Sequence, residues 1–147
     1  MVHMTFTTLV FDIRNELRIA ANRSSEKAEN SLRNSIDEHV YARASSGEFR
    51  TGSLKNSVDS TVENDGDEIV VSVFNNTEKM TQDYPSVDAR FPQDNKDNIV
   101  LWLNDGHRGI WDYNATNFIE HARDAINISF ETWLKQALMQ RGIKLIS

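Results

Sequence analysis

The chain has 147 residues, 39% of them hydrophobic, and a formal net charge of −6, which suits one compact domain with a modest core. The acidic balance, with no long basic run, argues against nucleic acid as the main ligand, since that affinity rests on Lys and Arg neutralising phosphates. The absence of cysteine excludes disulfides, thiolate metal sites and cysteine nucleophiles, and apolar stretches such as Ile99 to Leu103 are too short to span a bilayer.

The start, Met1-Val2-His3-Met4, lacks the basic flank and long apolar core of a signal peptide, so synthesis in a cytoplasm is expected. Met4 is an alternative first residue. From 7 to 41 the sequence predicts one long helix or two in series. Leu9, Ile13 and Leu17, then Ala28, Leu32, Ile36 and Val40, recur every four residues and so form stripes along one side. The stripe thins over Ala20 to Glu26, which suggests a break or a solvent-exposed middle. No Gly or Pro precedes Gly47, so nothing local forces a stop. A long, thinly apolar helix needs a partner to lie against.

Arg43 to Gly52 is a connection rich in small residues. Val58 to Glu63 and Ile69 to Phe74 alternate apolar and polar residues around Asn64-Asp65-Gly66-Asp67, a strong hairpin signal because these turn residues accept positive φ. A long loop, 75–98, follows, with both prolines and few apolar residues. Loops of this length in compact domains usually carry function. Ile99 to Leu103 reads as a buried strand ending at the Asn104-Asp105-Gly106 turn. The last element, 117–141, is an amphipathic helix carrying Phe118, Ile119, Ala122, Ile126, Phe130, Trp133, Leu134 and Leu138. Thr116 or Asn117 can cap its start and Gly142 can terminate it. The expected architecture is a single α+β domain over 1–147, with helix 7–41, a small antiparallel sheet across 54–106 interrupted by the loop 75–98, and helix 117–141 packed on that sheet.

Chemistry-bearing patterns are sparse. His3, His39, His107 and His121 stand at no helical metal-binding spacing. His121, beside the apolar face of the last helix, reads as a hydrogen-bonded structural histidine. His107, close to Asp105 and Asp112, is the best lone candidate for acid–base work. Asp83, Asp88, Asp94 and Asp97 match no calcium loop and read as a solvated acidic segment. There is no Gly-rich phosphate loop and no Gly-x-Ser-x-Gly elbow. Phe118, Phe130 and Trp133 read as core, whereas Trp111 and Tyr113 flank Asp112 in a loop as a contact anchor or as cover for the end of the sheet.

The segment Arg50-Thr51-Gly52-Ser53-Leu54-Lys55-Asn56-Ser57-Val58 resembles the Arg/Lys-Thr-Gly-x-Leu-x-x-Ser-Ile segment of tailed-bacteriophage neck and tail-completion proteins. These are small head–tail joining proteins grouped with the gp10-like family of phage HK97. That family has a long helix before this segment and a hairpin after it. A Val-Glu-Tyr-Gly strand and a closing helix then follow. Leu101 to Gly106 stands where the strand would be, and Asn117 to Ala122 is similar to the start of the closing helix. In physical terms Gly52 permits a tight turn, Thr51 can cap it and Leu54 begins the buried run.

The resemblance implies a virion structural protein with no enzymatic activity and no cofactor. It would act in the head–tail connector as a ring of on the order of six or twelve copies, in contact with other neck and tail proteins. DNA would pass through its negative lumen only in transit, and no membrane would be involved. Structural-motif residues would be Arg50, Thr51, Gly52, Leu54 and Gly106, with Tyr84, Phe91, Trp111 and Tyr113 as interface anchors and 75–98 as an arm that orders on assembly. A tail terminator capping the tail tube is an alternative within the same biology. A small metal-dependent enzyme using His107, Asp105 and Asp112, or a bacterial adaptor, is the alternative from outside it.

Overall fold

A computed structural model describes residues 2–42, 53–65, 68–80, 96–106 and 115–143, with side chains over 14–42, 53–64, 68–80, 100–106 and 115–143. Helix α1 runs Val2–Ile36 and widens into a π-helical turn, Asp37–Tyr41, closed by the Ala42 amide donating to the Asp37 carbonyl at 2.9 Å. The expected weak point in its middle is instead continuous helix with a buried face: Ala20, Ala21, Ser24, Ser25 and Ala28 are all buried. The stripe thins because these side chains are small, which lets neighbouring backbones approach; it does not face water. The two serines satisfy their hydroxyls within the helix, Ser24 on the Ala20 carbonyl at 2.8 Å and Ser25 on the Asn22 carbonyl at 2.7 Å.

A short helical turn, α2 (Ser53–Asn56), leads into β1 (Val58–Asp65) and β2 (Glu68–Asn75). The strands pair antiparallel from Val58 opposite Asn75 to Asp65 opposite Glu68, as the alternation predicts, and Gly66 and Asp67 fall outside the described residues. Ser57 ties the base of the hairpin. Its hydroxyl donates to the Leu54 carbonyl at 2.6 Å, and it accepts from the Asn75 amide at 3.0 Å. A 3-10 turn, Thr77–Lys79, follows β2 and is capped by Asn76 accepting from the Glu78 amide.

The expected strand at Ile99 to Leu103 is a helix, α3 (Lys96–Asp105), and the described sheet has two strands. Short apolar runs fit either state. Here Val100 and Leu103, three apart, sink into the core while Leu101 between them stays 52% exposed; a fully buried strand would hide all three. Gly106, at φ +87°, closes α3 with its amide on the Trp102 carbonyl at 2.8 Å.

Helix α4 (Phe118–Gln140) matches expectation within a residue or two. It ends in a Schellman motif: Gly142 at φ +82° donates to the Met139 carbonyl and Ile143 to the Leu138 carbonyl. Ile143 also packs against the small cluster of Ala20, Ala137 and Leu138.

α4 lies antiparallel along α1. At one end the Ser35 hydroxyl donates to the Phe118 carbonyl at 2.5 Å, and at the other Arg141 meets Glu16. The hairpin packs against the same helix: Ser60 donates to Glu29 at 2.6 Å and the Arg33 guanidinium donates to the Val58 carbonyl. The main core gathers at the Phe118 end, from Leu32, Ile36 and Val40 of the N-terminal helix, Leu54, Val58, Met80, Val100, Leu103, Phe118 and Ala122.

Candidate functional site

Because α1 takes the hairpin on one flank and α4 on the other, the two flanking layers splay apart above it. β2 presents Ile69, Val71 and Val73 on the face toward this gap, each only half-buried, as strand periodicity dictates. α4 presents Ile126, Phe130 and Leu134 from the other side, spaced by four and also half-buried. Ala28 and Leu32 form the floor, and the groove so enclosed has a volume of about 880 Å³. A second hollow of about 500 Å³ shares Ile69, Val71, Phe130 and Leu134 with it and continues toward Arg14 and Arg18 of α1 and Asn64 and Glu68 at the tip of the hairpin. The two form one apolar trough. Its charges are exposed and sit at the rim: Arg14 and Arg18 of α1, Glu68 of β2, and Arg123 and Glu131 of α4, the last 2.9 Å from Lys135, which holds the Glu131 carboxyl below its ordinary value.

The trough is bounded at both ends by polar ties. Beside Arg14, both Arg141 Nε and Nη2 donate to the Glu16 carboxylate, Nη2 at 2.8 Å, and this pairing lowers the Glu16 pKa. At the far end Asn104 replaces the expected caps. The Thr116 hydroxyl is committed to the Leu103 carbonyl at 2.6 Å, and Asn117 has left-handed φ of 52° with no side-chain cap. The buried Asn104 side chain accepts from the Ile119 amide at 2.8 Å and donates to Glu120 at 3.1 Å, so a residue of α3 caps α4. This device was invisible in the sequence because it needs α3 to be a helix ending beside α4.

The aromatic assignments divide. Phe118 is fully buried, but Phe130 and Trp133 are half-exposed and meet edge to face at 6.5 Å. They were expected in the core because their spacing puts them on the stripe, yet nothing described lies over that part of it. His121 is exposed and stacks on His39 with ring centroids 3.9 Å apart and 13° between planes, a ring contact in place of the expected hydrogen-bonded site. Leu54 is fully buried and Gly106 carries positive φ. Arg50, Thr51, Gly52, Tyr84, Phe91, Trp111 and Tyr113 lie outside the described residues, as do His107, Asp112 and most of the 75–98 segment. Asp105, the described member of the His107 trio, is exposed and accepts from Asn104 at 2.7 Å.

Among the described residues no three His, Asp or Glu side chains gather as a metal site, and no described helix is long and apolar enough to cross a membrane. Compared with known proteins, the chain matches no family model, no curated protein and no solved structure. The groove was legible only as two apolar stripes, one of period two on β2 and one of period 3.6 on α4. Both read as core-facing, and the gap between them follows from how α1 spaces the layers.

Proposed function

We propose that this chain is a structural protein of a tailed-phage virion, forming part of the head–tail connector by packing against copies of itself and against neck or tail proteins. The supporting observation is the open trough. Half-buried Ile69, Val71, Val73, Ile126, Phe130 and Leu134 line about 880 Å³ in a domain whose own core is small. A continuous apolar surface of this kind costs solvation free energy in a lone monomer and marks a contact surface.

The order of elements agrees with the resemblance carried by Arg50 to Val58: long helix, helical turn at Ser53, hairpin, closing helix. The segment Leu101 to Gly106 departs from it, being helical where that family has a strand. The mechanism is geometric. α1 and α4 form a stiff pair, and apolar faces left open in one subunit are closed by the next.

The test is electron imaging of the purified protein mixed with DNA-filled tailless heads. Density added at the portal vertex is expected, and heads left bare contradict the reading. Binding to isolated tails but not to heads would assign the protein to the tail terminus.

A further inference from the structure

The two edges of the hairpin are finished differently. At its base the Asn76 amide donates to the Ser57 carbonyl at 2.7 Å, one step before the pairing of Val58 with Asn75. Bonded pairs alternate along an antiparallel ladder. Asp59 with Phe74, Thr61 with Ser72 and Glu63 with Val70 therefore bond across, and the main-chain groups of the residues between them point outward. On β1 such groups are taken. The Val58 carbonyl accepts from Arg33 at 3.4 Å, and the Ser60 amide donates to the Asp59 carboxylate at 2.9 Å. On β2 the outward groups are those of Ile69, Val71 and Val73, and among the described residues nothing bonds to them. β1 also carries Asp59 and Glu63, whereas Ile69 to Asn75 holds no charge, proline or glycine to guard its edge.

This open edge borders the trough. A further strand would lie about 4.8 Å beyond β2, on the side of the α4 stripe. The spacings agree, since Ile69 to Val73 spans about 14 Å of strand and Ile126 to Leu134 about 12 Å of helix. The two elements also run in opposite directions. Ile69 and Val71 share the outer hollow with Phe130 and Leu134, while Val73 and Ile119 pack on the main core.

We infer that the free edge of β2 takes up an extended segment of a partner protein as a third strand, apolar at every second residue. A helix laid in the trough would leave the main-chain groups of Ile69, Val71 and Val73 without partners. β2 of a second copy does not fit either. Pairing the two edges about a two-fold axis puts both helix layers on one face, where the second α1 would meet α4. The segment pairs antiparallel, the more stable arrangement. Its residues opposite Ile69, Val71 and Val73 then bond to β2 and turn their side chains toward Ile126, Phe130 and Leu134. The inference rests on the assembly reading above for the partner's identity, a neck or tail protein.

The probe is a capped peptide of alternating Val and Thr with Lys at each end, added to the full-length protein while amide hydrogen exchange is followed by NMR. In the free protein the Val71 and Val73 amides should exchange faster than those of Ser72 and Phe74. The peptide should slow Val71 and Val73 by on the order of tenfold or more, and the same peptide N-methylated on its valines should leave them unchanged. Val71 and Val73 already as slow as Ser72 and Phe74 would mean that the edge is closed within the chain. Slowing that grows with protein concentration alone would mean that a second copy closes it. Either result overturns the inference, as does a peptide that slows neither amide or that acts equally well when N-methylated. The head-binding experiment fails independently. Protection by peptide in a protein that ignores heads keeps the strand site and removes the virion partner. Joining to heads by a protein whose edge the peptide leaves unprotected does the reverse.

Discussion

The α1–α4 pair has two unlike ends. At the Phe118 end, the base of the hairpin, Met80 and α3 close over the helices, and Ile36, Leu54 and Phe118 lose all exposure. At the Leu138 end the apolar cluster is small, Ala20, Ala137 and Leu138, with Leu17, Leu134 and Ile143 half-covered, and a surface ion pair finishes the contact. The apolar stripe of α4 is continuous through both ends, so the difference lies in what covers it. Where a third element is supplied the stripe becomes core. Where none is supplied it becomes a wall of the trough. Closure and openness along one helix pair are thereby set by what meets the stripe.

The sharpest way to break this comparison is to truncate the same residue type at each end. Phe118→Ala opens a cavity in a closed core and should cost about 3–5 kcal/mol in denaturant unfolding. Phe130→Ala, from a half-exposed ring, should cost about 1 kcal/mol. Equal losses would mean that the two ends are packed alike.

Asn104→Ala tests whether the closed end is also the polar anchor. It strips the Ile119 amide of its acceptor and Glu120 of a donor, and a loss of about 1–2 kcal/mol is expected. Thr116→Ala leaves the Asn104 cap in place, so its effect should be smaller. A reversed order would return the capping role to the residues next to α4 in sequence.

The smallest effect is the pH dependence at the open end. The Arg141 hydrogen bonds lower the Glu16 pKa from its ordinary 4.5, so the folded state binds the Glu16 proton less tightly than the unfolded chain. The pair's contribution is then fully present above pH 4.5 and disappears as the pH falls through the lowered value. Melting temperatures of the wild type and Glu16→Gln should differ slightly at pH 7 and converge in acid, since both residues are surface-exposed and screened. A gap that widens in acid would show that Glu16 acts through something other than Arg141.

The sequence carried the elements further than it carried their contacts. Alternation at Val58 to Glu63 and Ile69 to Phe74 located the hairpin, and four-residue spacing located α1 and α4, because these periods are local properties of the chain. Ile99 to Leu103 misled because five apolar residues satisfy strand and helix alike. Its state was decided by Val100 and Leu103 finding the core three residues apart. Ala20 to Ala28 misled in the opposite sense, since small side chains look weakly apolar although they permit the closest packing. The trough was hidden for a related reason: periodicity states which way Ile126 and Phe130 point, not whether anything meets them.

The assembly role proposed for the trough is tested most directly by Asn127→Arg, which places a charge on the wall of the trough at an exposed helix position. The variant's unfolding should match the wild type, while the density it adds at the portal vertex of DNA-filled tailless heads should be lost. Unchanged unfolding together with undiminished joining to heads would contradict the account, because the trough would then have no part in assembly.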